Sequence, residues 1–139
     1  MKSDGELQPL VSVIIPTYNH AKYLGDAIQS VLSQTYQKFE IIIIDNYSND
    51  NTEDIVSSYA STNSRIRYTK FSNKGIIASS RNLGIKMARG EYIALLDSDD
   101  LWSPEKLELQ VPLFINKEVG LVYAGIIKFN DKDNRVVKT

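Results

Sequence analysis

The chain contains no cysteine and a single histidine, His20. The first absence excludes disulfides and thiolate metal centres. The second excludes a zinc site built on several imidazoles. Any metal must then sit on oxygen ligands, which favours magnesium, manganese or calcium. An excess of charge of one sign is lacking too: 16 Lys and Arg stand against 17 Asp and Glu, for a formal net charge of -1. That balance gives no general drive toward nucleic acid or anionic lipid. No apolar run approaches the roughly 20 residues that span a bilayer. The opening MKSDGELQP has no signal-peptide core, so a cytoplasmic setting is expected.

What is present suits a soluble globular protein: 139 residues, 42% hydrophobic and 24% charged. Residues 1–9 are polar, with Gly5 and Pro9, and read as a loose arm. Residues 10–139 are expected to form one domain, without repeat, low-complexity tract or linker. From Leu10, LVSVII is a short apolar strand ending at Pro16. Leu24, Ala27, Ile28, Val31 and Leu32 then recur at helical spacing. Phe39 to Ile44 is apolar and β-branched, the texture of a parallel strand covered on both faces.

Asn46 to Asn51 is a cluster of turn formers, and Thr52 is the expected N-cap of a helix carrying Ile55, Val56, Tyr59 and Ala60. Arg65 to Lys70 alternates like a strand nearer an edge. Residues 76–88 read as a third helix closed by Gly90, and Tyr92 to Leu96 as a fourth strand. Ser103-Pro104-Glu105 opens another helix, with Leu107, Val111 and Phe114 on one face and a kink or early end at Pro112. Val119 to Phe129 and Arg135 to Lys138 flank NDKDN as an expected hairpin. The alternation of strand and helix predicts an α/β fold with a mostly parallel sheet.

Ligands of such sheets bind beyond the carboxyl ends of the strands. Strand one is followed by Pro16-Thr17-Tyr18-Asn19, strand two by Asp45-Asn46-Tyr47-Ser48-Asn49-Asp50, and strand four by Asp97-Ser98-Asp99-Asp100. Asp97 and Asp99, two apart, share a side in extended chain. Two hard oxygen ligands leave positions open for water and phosphate, as magnesium-like ions at a diphosphate require. Each piece has a plainer alternative. DSDD and Asp45 also suit solvated turns, and Tyr18 also suits simple packing. Gly75 could bare backbone N–H groups to a phosphate or merely serve a turn. Gly84 reads as a close helix–sheet approach. Arg81 could face a ligand or a structural carboxylate, and His20 reads as capping or packing near the first helix.

Taken together, VSVIIPTYNHAKYLGDAIQSVLSQTY, FEIIIIDNYSNDNT, NKGIIASSRNLGIKMARGEYIALLDSDDLWSPEKL and VGLVYAG resemble family 2 glycosyltransferases, in order and spacing, over residues 11–125. The resemblance implies a Rossmann-like three-layer sandwich of the GT-A type. It also implies inverting transfer from a UDP-sugar or dTDP-sugar to a glycan or lipid-linked acceptor, as in bacterial cell-surface polysaccharide biosynthesis. By that analogy Tyr18 stacks on the base and Asp45 accepts the uracil N3–H. Asp99, helped by Asp97, holds Mn2+ or Mg2+, while Pro16, Gly75, Arg81 and Ser98 complete the nucleotide site. Such enzymes carry their acceptor site and general base in a further C-terminal half, so the base is expected outside this chain. Asp100 is a weak stand-in because it adjoins the metal site. The full-length protein would lie in the cytoplasm or at the inner face of the membrane. Three residues depart from the family pattern: Ser80 for alanine, Asn46 for a second aspartate, and Pro112 in a helix. A non-catalytic nucleotide-binding module is the main rival reading. A nucleotidyltransferase fits less well, because PTYNHAKYL has no glycine-rich loop.

Overall fold

The computed structural model describes residues 8–129 and 132. Four consecutive isoleucines, Ile41 to Ile44, have no exposed surface at all. They lie in β2 (Phe39–Asp45), which, like β1 (Val11–Thr17), is buried along its whole length. Only strands covered on both faces can be apolar without alternation. β3 (Ile66–Lys70) is only partly buried beyond Ile66 and β4 (Tyr92–Leu95) alternates in burial, and they are the edges of a sheet ordered β3-β2-β1-β4. Every pairing is parallel, running from Val11↔Phe39 to Thr17↔Asp45, from Ile41↔Ile66 to Asp45↔Lys70, and from Val11↔Tyr92 to Ile14↔Leu95.

The helices are α1 (Ala21–Leu32), α2 (Thr52–Ala60), α3 (Ile77–Met87) and the short α4 (Lys106–Gln110). The chain moves one way across the sheet from β1 to β3, then returns past β1 to β4. Right-handed crossovers therefore put α1 and α2 on one face and α3 on the other. α1 packs with α2, and α3 packs on β1 and β2. This is the three-layer α/β sandwich that the sequence predicts.

α3 sits so close to the sheet that a Cβ on Gly84 would stand 2.5 Å from Cγ2 of Ile14, itself fully buried. Gly84→Ala is expected to destabilise the fold by about 1–3 kcal/mol, the usual cost of overpacking a core. Urea unfolding of the variant checks this. Gly90 does not cap α3, as the sequence suggests; Ala88 holds the C-cap position. Its constraint is space, since a Cβ there would meet the Ser12 backbone nitrogen at 2.7 Å and the Leu10 carbonyl at 2.8 Å.

Beneath this approach lies a buried polar network. The Glu40 carboxylate accepts hydrogen bonds from the Ser12 hydroxyl (2.7 Å), the Arg89 N–H (2.7 Å) and the Arg67 guanidinium (3.2 Å). Arg67 also donates to the Met87 carbonyl, and the Gly90 N–H donates to Ser12 Oγ. Burial alone pushes the Glu40 carboxyl upward. The three donors outweigh it, and the group is held below the usual glutamate range.

Other local expectations need correction. Thr52 is the first residue of α2 rather than its cap, and the preceding Asn51 makes no side-chain cap. Asp50 performs that task instead. Its Oδ1 accepts from the Thr52 N–H and hydroxyl, while its Oδ2 accepts from the Ala21 N–H at the start of α1. The Thr52 hydroxyl foremost, with those amides, holds the Asp50 carboxyl below the ordinary aspartate range. Ser103-Pro104-Glu105 precedes α4 rather than opening it, and α4 gives way at Val111 to a 3-10 helix, Val111–Ile115, with Pro112 in its first turn. Proline removes one α-helical hydrogen bond there.

The chain divides into two compact units, Met1–Leu107 and Glu108–Thr139, where the sequence reading has one domain over 10–139. In the second unit residues 119–128 carry no strand, so the expected hairpin is not seen in its first arm. Its second arm, Arg135 to Lys138, lies outside the described residues, as does most of the 1–9 arm. No helix among the described residues is long and apolar enough to cross a membrane.

Candidate nucleotide-sugar site

The strand order makes β1 and β4 diverge at their carboxyl ends, the position where open α/β sheets hold ligands. A cavity of about 470 Å³ opens there. β1 and its exit contribute Pro16, Thr17, Tyr18 and His20, and β4's exit contributes Asp97, Ser98 and Asp99. The β3–α3 connection adds Asn73 and Gly75, α3 adds Ile77 and Arg81, and β2's exit adds Asn46. Of the residues singled out from sequence, Pro16, Tyr18, Gly75, Arg81, Ser98, Asp97 and Asp99 all meet at this cavity.

Tyr18 is about half exposed, leaving its ring face open. Asp97 and Asp99 are exposed while Ser98 between them is only 3% exposed, and they share a side through a turn, closed by the Asp100 N–H on the Asp97 carbonyl, rather than through extended chain. Arg81 donates to Asp97 at 2.9 Å. Its guanidinium thus serves a carboxylate while still lining the cavity. Gly75 stands at φ 80 with open space where a side chain would be, and its N–H donates to Asn73 Oδ1. Asp100 does not line the cavity. Burial, followed by the charges of Asp99 and Asp97, pushes its carboxyl above the usual range.

Asp45 stands apart from this group. It is 1% exposed, with Oδ1 accepting from the Ser48 N–H and hydroxyl and Oδ2 from the Tyr68 hydroxyl. Three of its roughly four acceptor sites are thus occupied within the protein. Burial and then the bond to Asp45 push the Tyr68 hydroxyl well above its ordinary range, so it remains a proton donor. The next residue, Asn46, reaches the cavity in its place, with its Oδ1 accepting the Asn73 N–H at 3.0 Å.

Sequence reasoning also missed Thr17, whose buried hydroxyl has no hydrogen-bond partner among the described residues. His20, read from sequence as a residue of the first helix's start, faces the β4 exit instead. It shares a 2.7 Å hydrogen bond with Ser98, 78 positions away. The residue order carries no signal for either contact.

The exits of β1 and β2 are joined by reciprocal bonds. The Asn19 N–H donates to Ser48 Oγ, the Asn49 N–H to Asn19 Oδ1, and the Asn46 N–H to the Thr17 carbonyl. Asn19 and Tyr47 both take left-handed backbone at φ 51 to allow this. The β1 exit that carries Tyr18 is fixed by its neighbour rather than by its own sequence.

A parallel sheet with an aromatic, an arginine and an Asp-Ser-Asp turn around a cleft at its switch point is the arrangement of nucleotide-sugar-binding GT-A proteins. Residues 12–139 match the model of the family described as Glycosyl transferase family 2, and the chain belongs to that family. It is similar to glycosyltransferase GlyG of Streptococcus pneumoniae serotype 4, 35% identical across 91% of this chain and 42% of that one. It is also similar to glycosyltransferase TuaG of Bacillus subtilis, 38% identical across 85% of this chain and 47% of that one. The chain therefore spans less than half the length of these relatives.

Among solved structures, it resembles S. aureus TarS 1-349 in complex with UDP, with a TM-score of 0.69 and 34% identity over 77% of this chain and 32% of that one. Mannosyltransferase PcManGT from Pyrobaculum calidifontis, in complex with GDP-Man and Mn2+, gives a TM-score of 0.66 and 29% identity over 76% of this chain and 32% of that one.

Proposed function

We propose that this chain carries the donor end of an inverting glycosyltransferase, taking a UDP-sugar or dTDP-sugar and serving a glycan or lipid-linked acceptor. The observation that carries the reading is the convergence of Tyr18, Arg81, Asp97 and Asp99 on one cavity at the β1/β4 switch point. Tyr18 offers a face for the base. Asp97 and Asp99 face the place for the diphosphate, with Arg81 beside them. Among the described residues no group of three His, Cys, Asp or Glu is disposed to hold a metal. The donor set is instead two hard oxygens, which suits Mn2+ or Mg2+ completed by phosphate and water. When bound, such an ion would offset the diphosphate charge as the sugar leaves. Setting, by this reading, is the cytoplasm or the inner face of the membrane.

The carboxylates lining the cavity are Asp97 and Asp99, both assigned to that ion. The general base for the acceptor hydroxyl is accordingly placed on the acceptor side of the whole enzyme. Asp100 is a poor substitute, because a cation at its neighbours would reverse the shift its burial produces. Calorimetry of UDP with the chain, with and without Mn2+, tests the reading. Metal-dependent binding supports it, and absence of binding in both conditions sinks it.

Base preference falls to Asn46 in this scheme. With Oδ1 engaged by Asn73, its amide offers N–H to acceptors that uracil and cytosine both present. Asn46→Asp replaces that amide with a second carboxylate oxygen, which can accept the uracil N3–H that cytosine lacks. The variant is expected to raise the preference for UDP over CDP by about 10- to 100-fold, the worth of one hydrogen bond to a charged group. Equal affinities for the two in the variant would remove Asn46 from the base site.

A further inference from the structure

β1 and β4 make their last backbone hydrogen bond where the Leu96 N–H meets the Ile14 carbonyl, at 3.0 Å. Beyond it the strands part, and the Asp97-Ser98-Asp99 turn leaves the sheet. The turn is tightened locally by the Asp100 N–H donating to the Asp97 carbonyl. That bond closes the turn on itself without fixing its direction relative to β1. His20 supplies such a link through its 2.7 Å hydrogen bond with Ser98.

His20 is placed for this task by several independent features. It occupies the N-cap position of α1, yet its side chain does not cap the helix. Asp50 takes the Ala21 N–H instead, leaving the imidazole uncommitted to its own helix. The ring stands edge-on to Tyr23, with centroids 6.1 Å apart and planes at 90°, which fixes its orientation. Ser98 is 3% exposed, so its hydroxyl needs a partner inside the protein, and Nδ1 is that partner. Ser98 is buried while Asp97 and Asp99 on either side of it are exposed, so holding Ser98 inward keeps both carboxylates on the outer side of the turn.

We infer that His20 is a positioning residue for the donor site, anchoring Ser98 so that Asp97 and Asp99 present their carboxylates jointly to a divalent cation and diphosphate. This rests on the donor-site reading above. His20 itself touches neither ion nor phosphate in this scheme.

The test is a double-mutant cycle with His20→Ala, Ser98→Ala and both together, with thermal melts to confirm folding. Mn2+ is titrated against each variant at fixed UDP, and uridine is titrated in EDTA as the metal-free arm. Each single variant is expected to need about three- to tenfold more Mn2+, the range for one lost hydrogen bond. Any loss of uridine affinity should be smaller than the rise in Mn2+ requirement. The double variant should lose no more than the weaker single, and His20→Asn, which keeps a polar atom near Nδ1, should recover part of the loss. If His20→Ala does not fold, Ser98→Ala with His20→Asn carries the comparison. Equal losses for uridine, a double variant whose loss is the product of the singles, or unaffected Mn2+ dependence overturns the inference. A wild-type chain that binds no UDP overturns the donor-site reading along with it, whereas wild-type binding with indifferent variants overturns the inference alone.

Discussion

Asp99→Asn is expected to weaken Mn2+-supported UDP binding by at least about 10- to 100-fold, a loss that even groups one shell removed from a metal can cause. Asp99 is exposed at the cavity and engages no cation in an ion pair among the described residues, whereas Asp97 already spends an oxygen on Arg81. The variant therefore removes the less encumbered of the two ligands. The sign should differ without metal. In EDTA the same substitution deletes a negative charge facing a diphosphate, so metal-free affinity should hold or rise. Calorimetry in both conditions reads the two effects separately. A fall of the same size in EDTA would mean that Asp99 contacts the nucleotide directly, and the metal would have to be sought elsewhere. The fold should be indifferent, because Asp99 lies past the end of β4 and outside the core.

The largest loss of stability from a single side chain is expected at Glu40. Glu40→Ala strips the partner from Arg67, Ser12 Oγ and the Arg89 N–H at once. Breaking a buried pair from one side costs about 3–5 kcal/mol, but Arg67 keeps its bond to the Met87 carbonyl and part of its side chain in water. A loss of about 2–4 kcal/mol is expected once that relief is counted. Chemical denaturation gives the value directly, and a loss below about 1 kcal/mol would show the network to be dispensable.

Linkage adds a pH dependence. The folded pKa of Glu40 lies below its unfolded value, so its contribution is complete above the unfolded value of about 4.3 and fades as pH falls through the folded one. Asp50, also depressed, acts in the same direction. Wild-type stability should thus decline in the acid range. Glu40→Gln, which cannot titrate, should show a shallower decline there, and parallel acid profiles would argue against the linkage.

What the residue order reveals depends on how locally each feature is determined. β1 and β2 are legible because strands covered on both faces are apolar without alternation, as VSVII and FEIIII are apart from the paired Ser12 and Glu40. The cavity residues are legible as a group because parallel strands deliver their exits to one rim. Which member of an exit reaches the cavity is another matter. Asp45 and Asn46 are neighbours with similar side chains, and the choice between them depends on Tyr68, a cross-strand partner 23 positions on.

The start of α2 misleads for a similar reason. Thr52 looks like a cap, but Asp50 caps two helices at once because the fold brings Ala21 within 3.0 Å of it. The closing segment misleads in another way. Val119 to Phe129 has strand-like composition, yet β-propensity mostly expresses fit to a half-buried pleated surface. Leu121, Tyr123, Ile126 and Ile127 stay exposed, without such a surface among the described residues.

The bonds joining the exits of β1 and β2 bear on engineering. Anyone grafting a relative's base-binding loop into this scaffold would be tempted to move residues 17–20 alone. Asn19 trades hydrogen bonds with Ser48 and Asn49, and Ala21 depends on Asp50, so a transplanted first loop would arrive without its counterpart. Both loops, 17–21 and 45–52, form one cassette. A chimera that moves them together keeps the left-handed Asn19 and Tyr47 satisfied, while half a cassette leaves backbone N–H groups stranded and two strained residues unsupported.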